Sequence, residues 1–187
     1  MKINIGISAR HIHLSKDDFE YLFPNKELNI YKELSQFPNY ASDKKVTLKN
    51  GDKKIDNVRV IGPLRSETQV ELSKTDCYTL KIDAPLCNSG ELENAAELEI
   101  VNEDKSIIRK CAIIQNRHIH ISNEDASRYG FTDNQKVKVH INSKKSGTLE
   151  DVYIKTGDKF SLELQLDTDD ANAFLIDDKS EAEIIND

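Results

Sequence analysis

Apolar and polar residues alternate in short runs along most of this chain, and the runs are separated by turn residues. A period of two is the signature of strands with one face buried, and it predicts strands over residues 3–7, 45–48, 58–61, 69–72, 98–101, 112–114, 136–141, 152–154 and 161–166. Asn50-Gly51-Asp52, Asn88-Ser89-Gly90 and Thr156-Gly157-Asp158 supply turn signals between them. Helical expectations are few and short. Ser15-Lys16-Asp17-Asp18 and Ser122-Asn123-Glu124-Asp125 each offer a hydroxyl at a helix start with a carboxylate three residues on. The expected class is mainly β, small barrels or sandwiches with short helical caps.

The pattern occurs twice. Arg10-His11-Ile12-His13 returns as Arg117-His118-Ile119-His120, an offset of 107 (117 − 10), and each copy leads into one of the two capped helices. A second offset of 94 (152 − 58) lays Val58-Arg59-Val60-Ile61 over Val152-Tyr153-Ile154-Lys155. It also lays Arg65 over Lys159, Glu71 over Gln165, and Ser73-Lys74-Thr75-Asp76 over Asp167-Thr168-Asp169-Asp170, each of these last two read as a helix cap leading into a short helix. Two halves of similar plan follow, read as residues 1–90 and 91–187, with the boundary in the polar stretch around Asn88-Ser89-Gly90.

Composition narrows the classes without choosing among them. The 187 residues are 37% hydrophobic and 32% charged, with a net charge of −7, and no apolar run nears the ~20 residues of a membrane helix. The acidic balance, with no basic stripe carrying interleaved aromatics, argues against a nucleic-acid surface. Met1-Lys2-Ile3-Asn4-Ile5-Gly6-Ile7 alternates instead of forming the apolar core of a secretory signal, so a cytoplasmic location is the expectation. Cys77, Cys87 and Cys111 are odd in number and form no C-x-x-C pair, which suits a reducing compartment.

Chemistry concentrates in the histidines. On a strand, residues i and i+2 share a face, so each His-x-His presents two imidazoles side by side, close enough for one metal ion. A tetrahedral catalytic zinc takes three protein ligands and one open position, and the 94-residue repeat offers a third for each half. Glu71 is a good candidate ligand, whereas the amide of Gln165 is a poor one. The fifth histidine, His140, has no counterpart and reads as a strand surface residue. Arg65 lies six residues before Glu71, after a turn at Gly62-Pro63, and reads either as a solvated loop arginine or as an anion-binding fork. Arg10 and Arg117 sit on the opposite face from the histidines or at strand ends, and read as structural as readily as functional.

Taken together, residues 8–15 (Ser-Ala-Arg-His-Ile-His-Leu-Ser), Gly62-Pro63-Leu64-Arg65 with Thr68-Gln69-Val70-Glu71, Asp83-Ala84-Pro85, Asn116-Arg117-His118-Ile119-His120 and residues 167–173 (Asp-Thr-Asp-Asp-Ala-Asn-Ala) resemble the phosphate propanoyltransferase family of phosphotransacylases. The resemblance runs in order over essentially the whole chain. It implies two small β-barrel domains with capping helices and strands exchanged between them, around a two-zinc site. It implies a zinc-dependent enzyme that converts short-chain acyl-CoA and phosphate to acyl phosphate and CoA, reversibly, with Arg65 holding the phosphate or the oxyanion. It also implies one metal set of His11, His13 and Glu71 and a second of His118 and His120 with a third histidine. Gln165 stands where that histidine is expected, so one tight zinc site is expected and a second that is weak or altered. A degenerate paralogue that binds metal or CoA without turnover is the alternative. Microcompartment members of the family carry a helical extension before the first domain. The strand pattern here begins within a few residues of Met1, so a free cytosolic enzyme is the expected setting, with a homo-oligomer left open.

Overall fold

Alternation becomes paired strand in the computed structural model, which describes residues 1–185. In chain order the elements are β1 (Lys2–Ile7), β2 (His11–His13), α1 (Lys16–Leu22), β3 (Ile30–Glu33), β4 (Tyr40–Asn50), β5 (Lys53–Gly62), β6 (Gln69–Glu71), α2 (Lys74–Leu80) and β7 (Leu86–Cys87). They continue with β8 (Ala96–Asn102), β9 (Lys105–Gln115), β10 (His118–Ser122), α3 (Asn123–Tyr129), β11 (Lys136–Asn142), β12 (Gly147–Gly157), β13 (Glu163–Leu166), α4 (Thr168–Ala173) and β14 (Glu181–Ile185).

The strands close into two six-stranded barrels. In the first, β2 pairs with β5, β5 with β4, β4 with β8, β8 with β9, β9 with β6, and β6 returns to β2. In the second, β10 pairs with β12, β12 with β11, β11 with β14, β14 with β1, β1 with β13, and β13 returns to β10. Each ring contains two parallel pairings, β2/β5 and β6/β9 in one and β10/β12 and β1/β13 in the other. Closure removes sheet edges, and it lets so short a strand as β2 be held on both sides.

The two compact units therefore do not divide at residue 90. One is Ala9–Gln115, and the other joins Met1–Ser8 to the chain from Asn116 onward. The cause is pairing that local pattern does not reveal: β8 and β9 complete the first barrel, while β1 pairs with β13 and β14 of the second. Asn88-Ser89-Gly90 lies inside the first unit.

Alternation also sets each core. Ile12 is fully buried between His11 and His13, as Ile119 is between His118 and His120. Ile12 packs in a cluster with Val46, Leu48, Val60, Val70 and Ile100, and Ile119 in one with Ile3, Ile141, Ile154, Leu164 and Ile184. Burying each such side chain contributes about 2 kcal/mol. It also forces the neighbouring histidines onto the outer face of the barrel wall.

The four helices have six or seven residues, too short to persist alone. Each is fixed by a cap: Ser15, Ser73, Ser122 and Asp167 accept the backbone N–H of the third residue on, Asp18, Asp76, Asp125 and Asp170. The repeat offsets hold in three dimensions, since α1 shifted by 107 is α3 and the start of β5 shifted by 94 is the start of β12. No helix among the described residues is long and apolar enough to cross a membrane.

Candidate functional site

In the first barrel, β2 lies between β5 and β6, with His11 opposite Glu71 and His13 opposite Gln69. Cross-strand neighbours on one face are about 5 Å apart, so pairing alone gathers the histidines and the carboxylate. The ligand atoms of His11, His13 and Glu71 lie within 4.8 Å of one another, a cluster that could hold a metal ion. His11 Nε2 is 3.4 Å from Glu71 Oε2, and the two imidazoles meet edge to face with centroids 5.0 Å apart.

The surroundings suit a metal. His11 Nδ1 lies 2.9 Å from the Ala9 carbonyl oxygen and His13 Nδ1 3.2 Å from that of Ile61. A carbonyl can only accept, so each Nδ1 carries the proton and each Nε2 keeps the lone pair a metal needs. Glu71 is held from the side: Gln69 Nε2 donates to Oε1 at 2.7 Å, and the Gln115 amide, turned to put its nitrogen toward the carboxylate, donates to it as well. Two imidazoles and one carboxylate are a donor set for a divalent transition metal with a coordination position left open.

Arg65 is connected to this cluster. The Gly62-Pro63 turn is tight, since a Cβ on Gly62 would run into the Tyr40 ring, and beyond it the Arg65 backbone N–H donates to the Leu14 carbonyl. Its guanidinium Nη1 donates to Ser89 Oγ at 3.2 Å, and that oxygen also accepts from Gln69 Nε2 at 2.8 Å. The Gly90 N–H donates to Gln69 Oε1 at 2.7 Å. A continuous chain, Arg65–Ser89–Gln69–Glu71, thus links a half-buried cation to the candidate metal carboxylate. Burial pushes the Arg65 guanidinium down from its usual value while Glu71 pushes it up. A guanidinium stays cationic in proteins.

The second barrel repeats the frame with different donors. His118 faces Gln165 and His120 faces Glu163 across β10 and β13. His118 Nδ1 lies 2.8 Å from the Asn116 carbonyl oxygen, as His11 does from Ala9. The His118 and His120 rings meet edge to face at 4.6 Å, and His120 also contacts the Phe160 ring at 4.5 Å. His120 is buried, and its Nδ1 has no hydrogen-bond partner among the described residues. Burial first, then His118 and Lys155, push its imidazole down to about 2, so it is neutral.

The arginines before the histidines are braces. Arg10 Nη1 donates to Asp76 Oδ1 at 2.8 Å, and Arg117 donates through Nε and Nη2 to both oxygens of Asp170 at 2.8 and 2.7 Å. Each ties the entry of the histidine strand to the first turn of the helix after β6 or β13. His140 lies on β11 with Nδ1 3.2 Å from Thr148 Oγ1, a half-buried strand residue. All three cysteines are free thiols. Burial pushes Cys111 up to about 12, and it raises Cys77 and Cys87 too, so none is a ready thiolate nucleophile.

Gln69, Ser89, Gly90 and Gln115 are site residues that the sequence reading passed over. Gln69 carried a usable signal, since it stands two before Glu71 on the same strand face.

The sequence pattern of the phosphate propanoyltransferase family matches residues 4–177. The chain is similar to the phosphate propanoyltransferase of Levilactobacillus brevis, 37% identical over 185 residues that cover 98% of this chain and 89% of that protein. It is 42% identical over 175 residues to the enzyme of the same name from Alkaliphilus metalliredigens, covering 92% and 82% of the two chains. With that of Thermotoga maritima the identity is 41% over 177 residues, covering 93% and 84%.

Proposed function

Because this chain belongs to the phosphate propanoyltransferase family, a family of transferases, we propose that it exchanges the CoA thiol of a short-chain acyl-CoA for inorganic phosphate, dependent on zinc at His11, His13 and Glu71. The observation that carries this reading is the chain of hydrogen bonds from Arg65 through Ser89 and Gln69 to Glu71, which ties a half-buried cation to a carboxylate of the cluster that could hold a metal.

A zinc ion bound there would supply a Lewis acid able to stabilise the departing thiolate or the carbonyl oxygen. Arg65 presents a planar fork of N–H donors that matches phosphate, and partial burial strengthens each charge-assisted bond. It holds the phosphate with an oxygen free to attack the acyl carbonyl carbon, and it stabilises the charge that accumulates in the tetrahedral transition state. As the new C–O bond forms the C–S bond breaks, so acyl phosphate and CoA leave without a covalent protein intermediate. Ser89 and Gln69 fix the arginine and the carboxylate so that neither reorganises during reaction.

The setting consistent with this reading is the cytoplasm. A specific observation favours one rival: Gln165 is a poor ligand, which fits a paralogue that binds metal or CoA without turnover. The test that separates them is CoA release from acetyl-CoA. The expected result is phosphate-dependent release, lost on chelation and restored by zinc. Absence of release under every metal condition would overturn the proposal in favour of the rival.

A further inference from the structure

The four facing positions of β2 and β6 hold two histidines, one glutamate and one glutamine, and so do the four of β10 and β13. The order is exchanged. Gln69 and Glu71 in the first barrel become Glu163 and Gln165 in the second, so the carboxylate moves from opposite the first histidine to opposite the second. In both barrels the amide nitrogen donates to the carboxylate two residues away, Gln69 to Glu71 and Gln165 to Glu163. The glutamine has the same task each time: it holds a glutamate. The residue equivalent in chemistry to Glu71 is therefore Glu163, although the residue equivalent in position is Gln165.

We infer that Glu163, not Gln165, completes a second divalent-metal site with His118 and His120. This deepens the proposed function and rests on it for the expectation of zinc. Independent support comes from His120, whose buried Nδ1 is a polar atom without a hydrogen-bond partner among the described residues. A lone pair or N–H sealed from water costs about 1 to 3 kcal/mol unless something binds it. His118 already donates from Nδ1 to a carbonyl, a tautomer that puts the ring lone pair on Nε2. Gly6 of β1, directly opposite Gln165, provides room for the movement required. A Cβ there would stand 2.5 Å from Gln165 Nε2 and 2.9 Å from Glu163 Cδ, so both side chains now lean over Gly6. A cation held by the two histidines would draw the Glu163 carboxylate from Gly6 toward His120, its cross-strand neighbour. A carboxylate with two imidazoles is a common zinc set, whereas a neutral amide oxygen is a weak substitute.

The test is metal stoichiometry of the full chain, read by cobalt(II) titration with its visible absorption and by elemental analysis after zinc loading. Two ions are expected for the wild type and for Gln165→Ala, one for Glu163→Gln, one for Glu71→Gln, and none for the double variant of the two glutamates. The ion retained by Glu163→Gln shows that the variant is folded. Two ions in Glu163→Gln with one in Gln165→Ala would assign the ligand to Gln165 and overturn the inference. A single ion in the wild type, lost in Glu71→Gln, would overturn it as well. Acyl phosphate formation is scored separately, so two ions without turnover would remove the proposed function and leave the metal site standing.

Discussion

Arg65 differs from most of the chain's arginines in what it touches. Arg10, Arg109, Arg117 and Arg128 each pair with a carboxylate, whereas the Arg65 guanidinium bonds to the Ser89 hydroxyl. Its charge is therefore at the disposal of an anion. Arg65→Ala is expected to lower kcat/KM for acyl transfer to phosphate by about 100-fold, roughly 3 kcal/mol of transition-state stabilisation. Steady-state kinetics check this, and unchanged kcat/KM would exclude the role. A second prediction at this scale concerns Asp18. Burial raises its pKa, but hydrogen bonds from Arg109 and Thr68 outweigh that and hold the carboxyl below its usual range. Its contribution is fully present above about pH 4, the ordinary carboxylate value, and is lost as pH falls through the lower folded value. Arg109 is half exposed, so Arg109→Ala should cost about 2 kcal/mol near neutrality, less than for a fully enclosed pair. Denaturant unfolding at several pH values should find that difference shrinking below pH 4, and a pH-independent difference would refute the linkage.

Among the elements, all four helices were legible, because a cap is a local device: Ser15, Ser73, Ser122 and Asp167 act on residues three positions away. Strands were legible where one face is buried, as in β5, β11 and β12. They were less legible where burial is uneven. β9 runs Lys105–Gln115 and is buried chiefly at Cys111, Ala112 and Ile113, so only its apolar end announces a strand. β14 was missed because its Glu-Ala-Glu-Ile-Ile is short and offers few alternations. The role of β1 was hidden for a different reason, since a strand's pattern says which face is buried but not which partner it joins. Its pairing with β13 and β14 spans most of the chain. Removing residues 2–8 is therefore expected to open the second barrel and abolish amide hydrogen-exchange protection in β13 and β14, while β4 and β5 of the first barrel stay protected. Unchanged protection in β13 would contradict that assignment.

On the scale of the whole molecule, duplication explains both what the sequence disclosed and what it concealed. The cluster of His11, His13 and Glu71 was legible because two offsets, 107 and 94, aligned identical residue types or adjacent caps. Glu163 was passed over because the same alignment put Gln165 in its place, and only cross-strand register shows that Glu163 faces His120. Ser89 was read as part of a boundary because its sequence is turn-like, and tertiary folding brings that turn onto Gln69. The same duplicated frame carries one barrel with an arginine-linked carboxylate, and there the chemistry is proposed to reside. The measurement that tests this most directly is phosphorus NMR of acetyl-CoA and phosphate incubated with the zinc-loaded protein and with Glu71→Gln. The account predicts acetyl phosphate in stoichiometric step with free thiol for the wild type, and loss of both in the variant. Thiol release without acetyl phosphate, or equal acetyl phosphate from Glu71→Gln, would contradict it.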